Sequence, residues 1–548
     1  MKITVVGSGT AGSLTSAFLA KEFPKATVEM IHSEKVGIIG VGESITPHLP
    51  GLLGGLGVDE KQFMRETGAV FKYGNNMEDW TNTPDGPNVL RMFYWSNKFE
   101  EETTWKNITS TTPNDLRTTD VWIDVYKSKT APDLDVYHHN AELFPYCKVN
   151  KMPFDDNGHY LVPAAATYAY HIDAEKTSPW IRKNVCKKYG VVETIATVEH
   201  VNVDENGISS VILDSGREVT SDIWVDCTGL SRVLIGSLTT DFKTYQANKV
   251  NSAWVCPIAY NDKEKEQVNY TRSIRREMGW QFSIALNDRI GTGLVFSDEY
   301  FSDQEALDYW HSIIDGKQIR EPRLLKWIPG RLENPNVGNC FAVGMAAGFI
   351  DPLEANAVVS AIASMKRLAW MLQRDYDKDY YNRKMNFYFD DIADYTAVHY
   401  TLSRNGNNHF WQDMRRIGRE LDHAGLVKKK YYDIANCMDS AQGYVTAFPD
   451  ANWLDIANNW VQDLHDWPTK STPEQQDRYI KQVRKTKLEH EIRSEQNKKS
   501  IDSFMKMYNN IEEYHKGLDK WPLEYFSKMF TQESWQQNIG KSRSESTW

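Results

Sequence analysis

The chain has 548 residues, 41% of them apolar and 25% charged, the balance of a soluble globular protein built from two or three regions around a large core. Its net charge of −11 argues against a dedicated nucleic-acid binder and a polybasic membrane anchor, and no apolar run is long enough to span a bilayer. Cys147, Cys186, Cys227, Cys256, Cys340 and Cys437 are scattered without a CxxC pair, which excludes a zinc ribbon or disulfide scaffold and fits a reducing cytosol.

The first predicted strand, Ile3-Thr4-Val5-Val6 with its start at Lys2, leaves no room for a signal peptide and predicts a cytoplasmic protein. Gly7-Ser8-Gly9-Thr10-Ala11-Gly12 follows at once, then a helical segment from Ser13 to Phe23 and a second strand, Val28 to Ile31. A GxGxxG alone is weak, but between a strand and a helix it has a physical reading. Gly7 permits the tight turn, Gly9 lets backbone approach a pyrophosphate, and Gly12 lets the helix pack on the sheet. The helix N-terminus then offers amide donors to phosphates. An acid is expected after the second strand to hold a ribose. Here Ser33-Glu34 stands, and Glu34 reads equally as a ribose ligand or a solvated turn residue.

Further along, Ile223 to Gly229 is an apolar strand ending in Asp226-Cys227-Thr228-Gly229, and Val337 to Gly344 is another strand ending in glycine. Asp351-Pro352-Leu353-Glu354 follows, with a helix predicted over Val358 to Leu372. Pro352 and Glu354 suit the first turn of that helix, where an acid meets the positive end of the dipole. From 366 onward the chain is helical and polar, which predicts a bundle on the surface of the core. Thr472-Pro473-Glu474-Gln475 reads as a capping box, and Ile480, Val483, Leu488 and Ile492 form a narrow apolar stripe behind it. That stripe fits a covering helix or a self-association face, so a homo-oligomer is an open expectation. His138-His139 lack ligand spacing and HExxH is absent, which predicts no metal.

These motifs resemble the flavin-dependent halogenases of the tryptophan-halogenase type. Gly7 to Gly12 is similar to the family's GxGTAG, and Gly40 to Pro47 (GVGESITP) to its GVGEATxP. Phe71-Lys72-Tyr73 stands where the family has its catalytic lysine. Tyr168 to Ala174 resembles YAWHFDA, Asp226 to Gly229 DCSG, and Asp351 to Glu354 EPLES. Gly279 to Ala285 and Arg289 to Ser297 resemble the WxWxIP segment and the RxGTGYVYS after it. The motifs keep the family's order over roughly residues 2 to 412.

The resemblance implies an α/β fold: an FAD-binding Rossmann-like domain of the GR2 flavin-monooxygenase type, an interleaved β-sheet layer, and a C-terminal helical region. The expected division is a core of residues 1–365 with a strand-rich layer inserted over about 85–300, and a substrate-covering region of 366–548. FAD, used as FADH2 with O2 and a halide, would contact Gly7, Ser8, Gly9, Thr10, Ala11, Gly12, Ser33, Glu34, Ser44, Val198, Gly344 and Val358. Lys72 would hydrogen-bond hypohalous acid as an ammonium or form a haloamine as an amine, and its residue type leaves both open. Glu354 would stabilise the cationic ring intermediate and accept its proton. Backbone amides of Asn356 and Ala357 would hold the halide. Trp95, Trp280, Phe282, Phe410 and Trp411 would line the substrate chamber or tunnel.

The departures matter as much. Phe282 and Ala285 replace the second tryptophan and the proline of WxWxIP, so an aromatic barrier is kept but a rigid residue is lost. Ala355 replaces the EPLES serine, although Asn356 adds a side-chain amide donor. Trp95 stands where tryptophan-specific members have histidine. The expected activity is therefore halogenation of a free indole or phenol, with bromide or iodide preferred to chloride and a separate flavin reductase as partner. An aromatic monooxygenase on the same scaffold and a catalytically silent flavin-binding protein are the rivals. The presence of both Lys72 and Glu354 argues against the silent one.

Overall fold

The computed structural model describes residues 1–35, 37, 41–72, 74–80, 89–92, 169–374, 379–436, 471–478, 480, 481 and 484. Its organising element is a six-stranded sheet. The spatial order is Asn336–Val337, Cys340–Ala342, Ile223–Asp226, Lys2–Val6, Thr27–His32 and Val192–Ile195. Pairing is parallel throughout except for the first two strands. Val5 sits between Met30 and Val225, and Ile3, Val5, Met30 and Val225 are all buried. Such near-continuous apolar runs are what a parallel sheet covered on both faces requires.

The helix after the glycine motif runs Thr10–Glu22, three residues earlier than its apolar run predicts, because the Gly9 backbone is already extended and caps it. The Asn356–Arg374 helix packs against it and shares a core with Leu14, Ala17 and Leu49 through Val358, Ile362 and Met365. The late strand predicted from Val337 to Gly344 is instead a short antiparallel hairpin, broken at Gly338. Gly338 has φ +57, and a Cβ there would lie 2.2 Å from the Asn206 carbonyl. Asn339 then hydrogen-bonds both the N–H and the C=O of Ile208, tying the hairpin to a neighbouring antiparallel sheet.

A seven-stranded, largely antiparallel sheet forms the second layer, in the order Arg323–Lys326, Ser252–Ile258, Ile290–Phe296, Gly279–Ala285, Tyr270–Arg276, Gly74–Glu78, Val89–Met92. A third, small sheet lies beside it. In this sheet Ala169–Ile172 pairs antiparallel with Glu43–Ser44 on one side and Val70–Lys72 on the other. Directly paired residues share a face of an antiparallel sheet, as do residues two apart on one strand. Ser44, His171, Val70 and Lys72 therefore all point the same way.

The helical region differs from the predicted surface bundle. Asp379–Thr401 is a long helix buried along most of its length, with Tyr381, Tyr388, Tyr395 and Tyr400 enclosed. Tyrosine reads as semi-polar in sequence, but a phenol whose hydroxyl finds an acceptor is a core residue. Here Tyr381 donates to the Ala342 carbonyl at 2.6 Å and Tyr400 to Asp351 at 2.5 Å. The capping box forms: Thr472 N–H donates to Gln475 Oε1 at 2.7 Å, and Gln475 N–H to Thr472 Oγ1 at 3.3 Å. Ile480 is buried; Val483, Leu488 and Ile492 lie outside the described residues, as do His138 and His139. Cys186, Cys227, Cys256 and Cys340 are free, buried thiols. Among the described residues no helix is long and apolar enough to cross a membrane, and no group of three or more His, Cys, Asp or Glu could hold a metal ion.

Candidate active site

Two sites lie at the carboxyl edge of the parallel strands and beside it. The first is the glycine turn. Gly7 has φ +109, and a Cβ there would lie 2.4 Å from the Cys227 carbonyl oxygen; a Cβ on Gly12 would lie 2.0 Å from the Gly7 carbonyl oxygen. Both glycines are therefore demanded by the fold. Gly9 is different. Its φ of −61 suits any residue, and a Cβ there would have nothing within 4 Å. No described part of the protein requires glycine at 9, so the open space in front of it is room for something else. That is the fit expected of a pyrophosphate against bare backbone, and the residues present suit FAD.

The surroundings of the turn are polar and tied down. Ser13 Oγ donates to the Ser8 carbonyl at 2.8 Å and Arg182 to the same oxygen at 3.1 Å. Thr10 Oγ1 donates to Glu43 at 3.3 Å. Burial pushes the Glu43 carboxyl up to about 7, Thr10 works against that shift, and Asp173 adds to it. Ser33 and Val198 come together at the end of the second strand, because Ser33 Oγ bonds Thr197 Oγ1 at 2.8 Å. Glu34 beside them is exposed. Gly344, with φ +63, brings the late strand against Ala11 and Ala361, and Val358 is enclosed one turn before Ile362.

The second site is a closed polar compartment around Lys72. Lys72 is wholly buried and donates to the Ile45 carbonyl at 3.1 Å. Burial pushes its ammonium down to about 7, against the pull of the Glu354 carboxylate nearby. His171, on the same sheet face, bonds the Ala285 carbonyl through Nδ1 at 2.9 Å and Thr271 Oγ1 through Nε2 at 2.9 Å. Thr271 Oγ1 bonds Ser44 Oγ at 2.7 Å. Burial holds the His171 imidazole down at about 3, with the Lys72 charge adding to the shift, so it stays neutral. A carbonyl can only accept, so Nδ1 carries the proton, Thr271 donates to Nε2, and Ser44 donates to Thr271. The carbonyl of Ala285 is thereby fixed, and the slackness expected from its missing proline meets a tie.

Glu354 does not stand in the first turn of the long helix but in the single 3-10 turn Leu353–Ala355, where its own dihedral angles are non-helical. The Asn356–Arg374 helix begins two residues later, and Glu354 and Ala355 have φ of +65 and +59. Left-handed conformation in such residues costs about 1–3 kcal/mol each and persists only where surroundings enforce it. Here Asp351 accepts from Leu353 N–H at 2.9 Å and from Tyr400 at 2.5 Å. Asn356 Nδ2 donates to the Asp351 and Leu353 carbonyls at 2.7 and 3.0 Å. The amide donor expected to face a halide is thus spent on the turn. What the turn achieves is to aim the Glu354 carboxylate inward. Its Oε2 accepts from Asn75 Nδ2 at 2.5 Å, and its Oε1 lies 3.8 Å from His399 Nε2.

Trp280 and Phe282 project from one face of their strand with ring centroids 6.1 Å apart. Gly293 opposite leaves space for the Phe282 ring, which a Cβ would meet at 2.7 Å. Phe410 and Trp411 are wholly enclosed; Trp411 stacks on Tyr400 and meets Trp80 edge-on, and Phe410 meets Tyr400 edge-on; Trp80 in turn meets His399 edge-on at 6.0 Å. They lie behind the compartment, one layer from Glu354. Trp95 is outside the described residues. Sequence reasoning misses Asn75, His399 and the pair of Asp351 with Tyr400 as site residues. Asp351 lies within a quoted motif, whereas Asn75 and His399 carry no local signal and meet Glu354 only through the tertiary fold.

The tryptophan halogenase family model matches residues 2–460. The tryptophan 7-halogenase RebH of Lentzea aerocolonigenes is 26% identical over 456 residues, covering 78% of this chain and 81% of its own. The tryptophan 6-halogenase ThaL of Streptomyces albogriseolus is 26% identical over 467 residues, covering 78% and 80%. Among solved structures, BrvH, a flavin-dependent halogenase from Brevundimonas sp. BAL3, superposes with a TM-score of 0.73 at 23% identity over 94% of this chain and 99% of its own. With the glycine turn, the buried lysine and the inward glutamate in the positions that the shared motifs mark, the chain belongs to the tryptophan halogenase family of flavin-dependent oxidoreductases.

Proposed function

We propose that the chain uses FADH2, O2 and a halide to halogenate a free electron-rich aromatic of the indole or phenol type, with a separate flavin reductase supplying FADH2. The observation that carries this reading is the pairing of two buried ionisable groups, Lys72 and Glu354, close enough for the carboxylate to act on the ammonium. Folding accepts such groups only when neighbours compensate them, and their concentration in a closed site is typical of chemistry. FADH2 with O2 supplies the two-electron oxidation of halide to hypohalous acid.

The remaining work falls to the chain. The N–H groups at the start of the Thr10–Glu22 helix and the bare Gly9 backbone hold the cofactor phosphates. Ser33, Glu34, Ser44, Val198, Gly344 and Val358 would complete the site that holds the cofactor. The backbone amides of Asn356 and Ala357 open a helix and point donors towards an anion. Lys72, poised at about 7, orients hypohalous acid by donating to it as an ammonium, or takes up the halogen as an amine. Glu354 faces the substrate ring, stabilises the cation formed on halogen addition and takes its proton. Trp280 and Phe282 separate substrate from cofactor. Trp95 in place of a histidine makes tryptophan a poor substrate.

Incubation with FADH2, O2 and each halide against a panel of indoles and phenols, read by mass spectrometry, tests the proposal. Halogenated products are expected. Hydroxylated products instead would make the chain an aromatic monooxygenase, and unchanged substrate with bound flavin would make it a silent flavoprotein.

A further inference from the structure

The strand Ala169–Ile172 and Asp173 behind it supply no group to the proposed halogen or proton transfer. They grip the end of the hairpin that carries Trp280 and Phe282. The first strand of that hairpin, Gly279–Ala285, loses one of its neighbours before it ends, because its ladder with Tyr270–Arg276 stops at the pair Ser283–Arg272. On its other side Leu286 N–H donates to the Arg289 carbonyl at 2.9 Å across the turn. The next pair, Ala285 with Ile290, therefore falls where an antiparallel ladder makes no backbone bonds. Left out of both ladders, the Ala285 carbonyl accepts from His171 Nδ1 at 2.9 Å. The same ring reaches the parting strand through Nε2, which bonds Thr271 Oγ1 at 2.9 Å, and Thr271 bonds Ser44 at 2.7 Å. Asp173 pairs with Arg289 at 3.0 Å, both side chains buried, and so holds the start of the returning strand. Gly291 leaves no slack behind it, since a Cβ there would lie 2.3 Å from the Val41 carbonyl oxygen.

We infer that His171 is a positioning residue that holds the Trp280 and Phe282 barrier in place and thereby decides whether the aromatic substrate is halogenated or hydroxylated. The inference rests on the proposed role of those two rings in separating substrate from cofactor. Hydroxylation competes for the same inputs. One oxygen atom of O2 enters a ring C–H bond, the other leaves as water with the two hydrogens of FADH2, and FADH2 supplies both electrons. It requires that substrate pass the barrier. Ala285 is about 10 Å along the strand from Phe282, and the Phe282 ring fits only against Gly293 of the returning strand, so its seat depends on the hairpin closing in register. Without the His171 donor a buried carbonyl is left unpaired, and the strand end relieves this by opening. The Asp173–Arg289 pair stays, which confines the opening to residues around Ala285.

Two substitutions separate the two ring nitrogens. His171→Asn puts an amide nitrogen where Nδ1 stood and still donates to Ala285. His171→Gln reaches the Nε2 position, serves Thr271 and leaves Ala285 unpaired. In the cofactor-free protein, hydrogen–deuterium exchange over residues 280–291 should quicken about ten-fold in His171→Gln and stay within about two-fold of the parent in His171→Asn. With FADH2, O2, bromide and indole, the ratio of hydroxylated to brominated product should rise about ten-fold in His171→Gln and no more than about two-fold in His171→Asn. Faster exchange with an unchanged product ratio would make His171 a structural tie only and overturn the inference. Equal behaviour of the two variants, or parent-like exchange in His171→Gln, overturns it as well. A measurement on the parent covers the case in which His171→Gln does not fold. In 15N-histidine-labelled protein, the ring signal that disappears in His171→Asn should be a neutral Nδ1–H tautomer, and an Nε2–H tautomer there would leave Ala285 without its donor and defeat the proposal. If the parent brominates indole while the variants break this pattern, the halogenase reading stands and the His171 step alone fails. If the parent gives hydroxylated product only, both fail.

Discussion

The glycine turn is built from one run, Gly7 to Gly12, and what matters there is space: an open front at Gly9 and amide donors at a helix start. The Lys72–Glu354 compartment is the opposite construction. It is assembled from a three-stranded sheet, a left-handed turn, a strand of the seven-stranded sheet and a helix of the C-terminal region, and Asn75 and Glu354 are 279 residues apart. What matters there is occupancy, since the charged groups are buried against fixed hydrogen-bond partners. A nucleotide brings its own charge and shape, so the protein needs only an opening edged with donors. A reaction on a neutral aromatic has to find its charges in the protein, and these must be held in place before substrate arrives.

The largest effect that would sharpen this contrast is at Lys72. Lys72→Ala should reduce halogenation on the order of 10²-fold or more, whereas FAD affinity and reoxidation of bound FADH2 by oxygen stay at parental values. Equilibrium titration and stopped-flow absorbance read the two sites separately. Unchanged halogenation would remove Lys72 from the chemistry, and lost FAD binding would show that the two sites act as one.

The next effect divides the glycine motif itself. Gly9→Val should weaken FAD binding by at least about ten-fold, through a branched side chain where phosphate approaches, with the melting temperature of the cofactor-free protein unchanged. Gly12→Ala should do the reverse and destabilise the fold by about 2–4 kcal/mol, because its Cβ would lie 2.0 Å from the Gly7 carbonyl oxygen. Calorimetry of both variants without FAD checks the assignment, and a destabilised Gly9→Val would show that position 9 is also a packing position.

This is also where the limits of the sequence lie. The glycine turn is readable because its function is local: strand, turn and helix are consecutive, and each glycine has a local steric reason. Lys72 and Glu354 are readable only through resemblance, because a lysine between aromatics and a glutamate after proline have ordinary structural explanations. The left-handed turn at Glu354 is not readable at all. Nothing in Asp-Pro-Leu-Glu-Ala-Asn announces that Asp351 and Asn356 will hold two non-glycine residues at positive φ. Asn75 and His399 are invisible for a related reason, since their role depends on a sheet and a helix meeting. The buried Asp379–Thr401 helix reads as a surface element because its tyrosines count as polar until their hydroxyls are paired.

A smaller effect tests the burial of Lys72 through stability alone. A freely solvated lysine titrates near 10.5, whereas Lys72 in the folded protein does so at about 7. Between those values the unfolded chain binds a proton that the folded chain does not, so stability rises with pH across that window. Below about pH 7 both states are protonated and the full cost of the buried charge is present. Above about 10.5 both are neutral and the cost is gone. Lys72→Met removes the group, so the parent should gain stability relative to this variant as pH rises from about 7 to about 10. Urea unfolding at a series of pH values checks it, and a gap that stays constant would mean that Lys72 keeps its ordinary basicity.

The smallest expected effect concerns the halide. Chloride is the smallest of the three candidates and the most strongly hydrated, so it needs the most donors to replace its water, and it is the hardest to oxidise. Ala355 offers no hydroxyl. Asn356 could have compensated, but its Nδ2 hydrogens already bond the Asp351 and Leu353 carbonyls, and turning them towards an anion would undo the left-handed turn that aims Glu354. That leaves backbone amides at the start of the Asn356–Arg374 helix, a site suited to a large, weakly hydrated ion. A hydrogen bond to a charged group contributes about 1.5–3 kcal/mol, so its absence should favour bromide or iodide over chloride by about ten-fold. The measurement is a competition at equal halide concentrations on one indole, with enzyme-free hypohalite controls to subtract background chemistry. Ala355→Ser should then raise the chlorinated share, since serine at φ +59 is strained no more than the alanine it replaces and returns one donor. If chlorinated product dominates with the parent enzyme, other groups supply the missing donor, and the accounting of amide hydrogens around Asn356 is wrong.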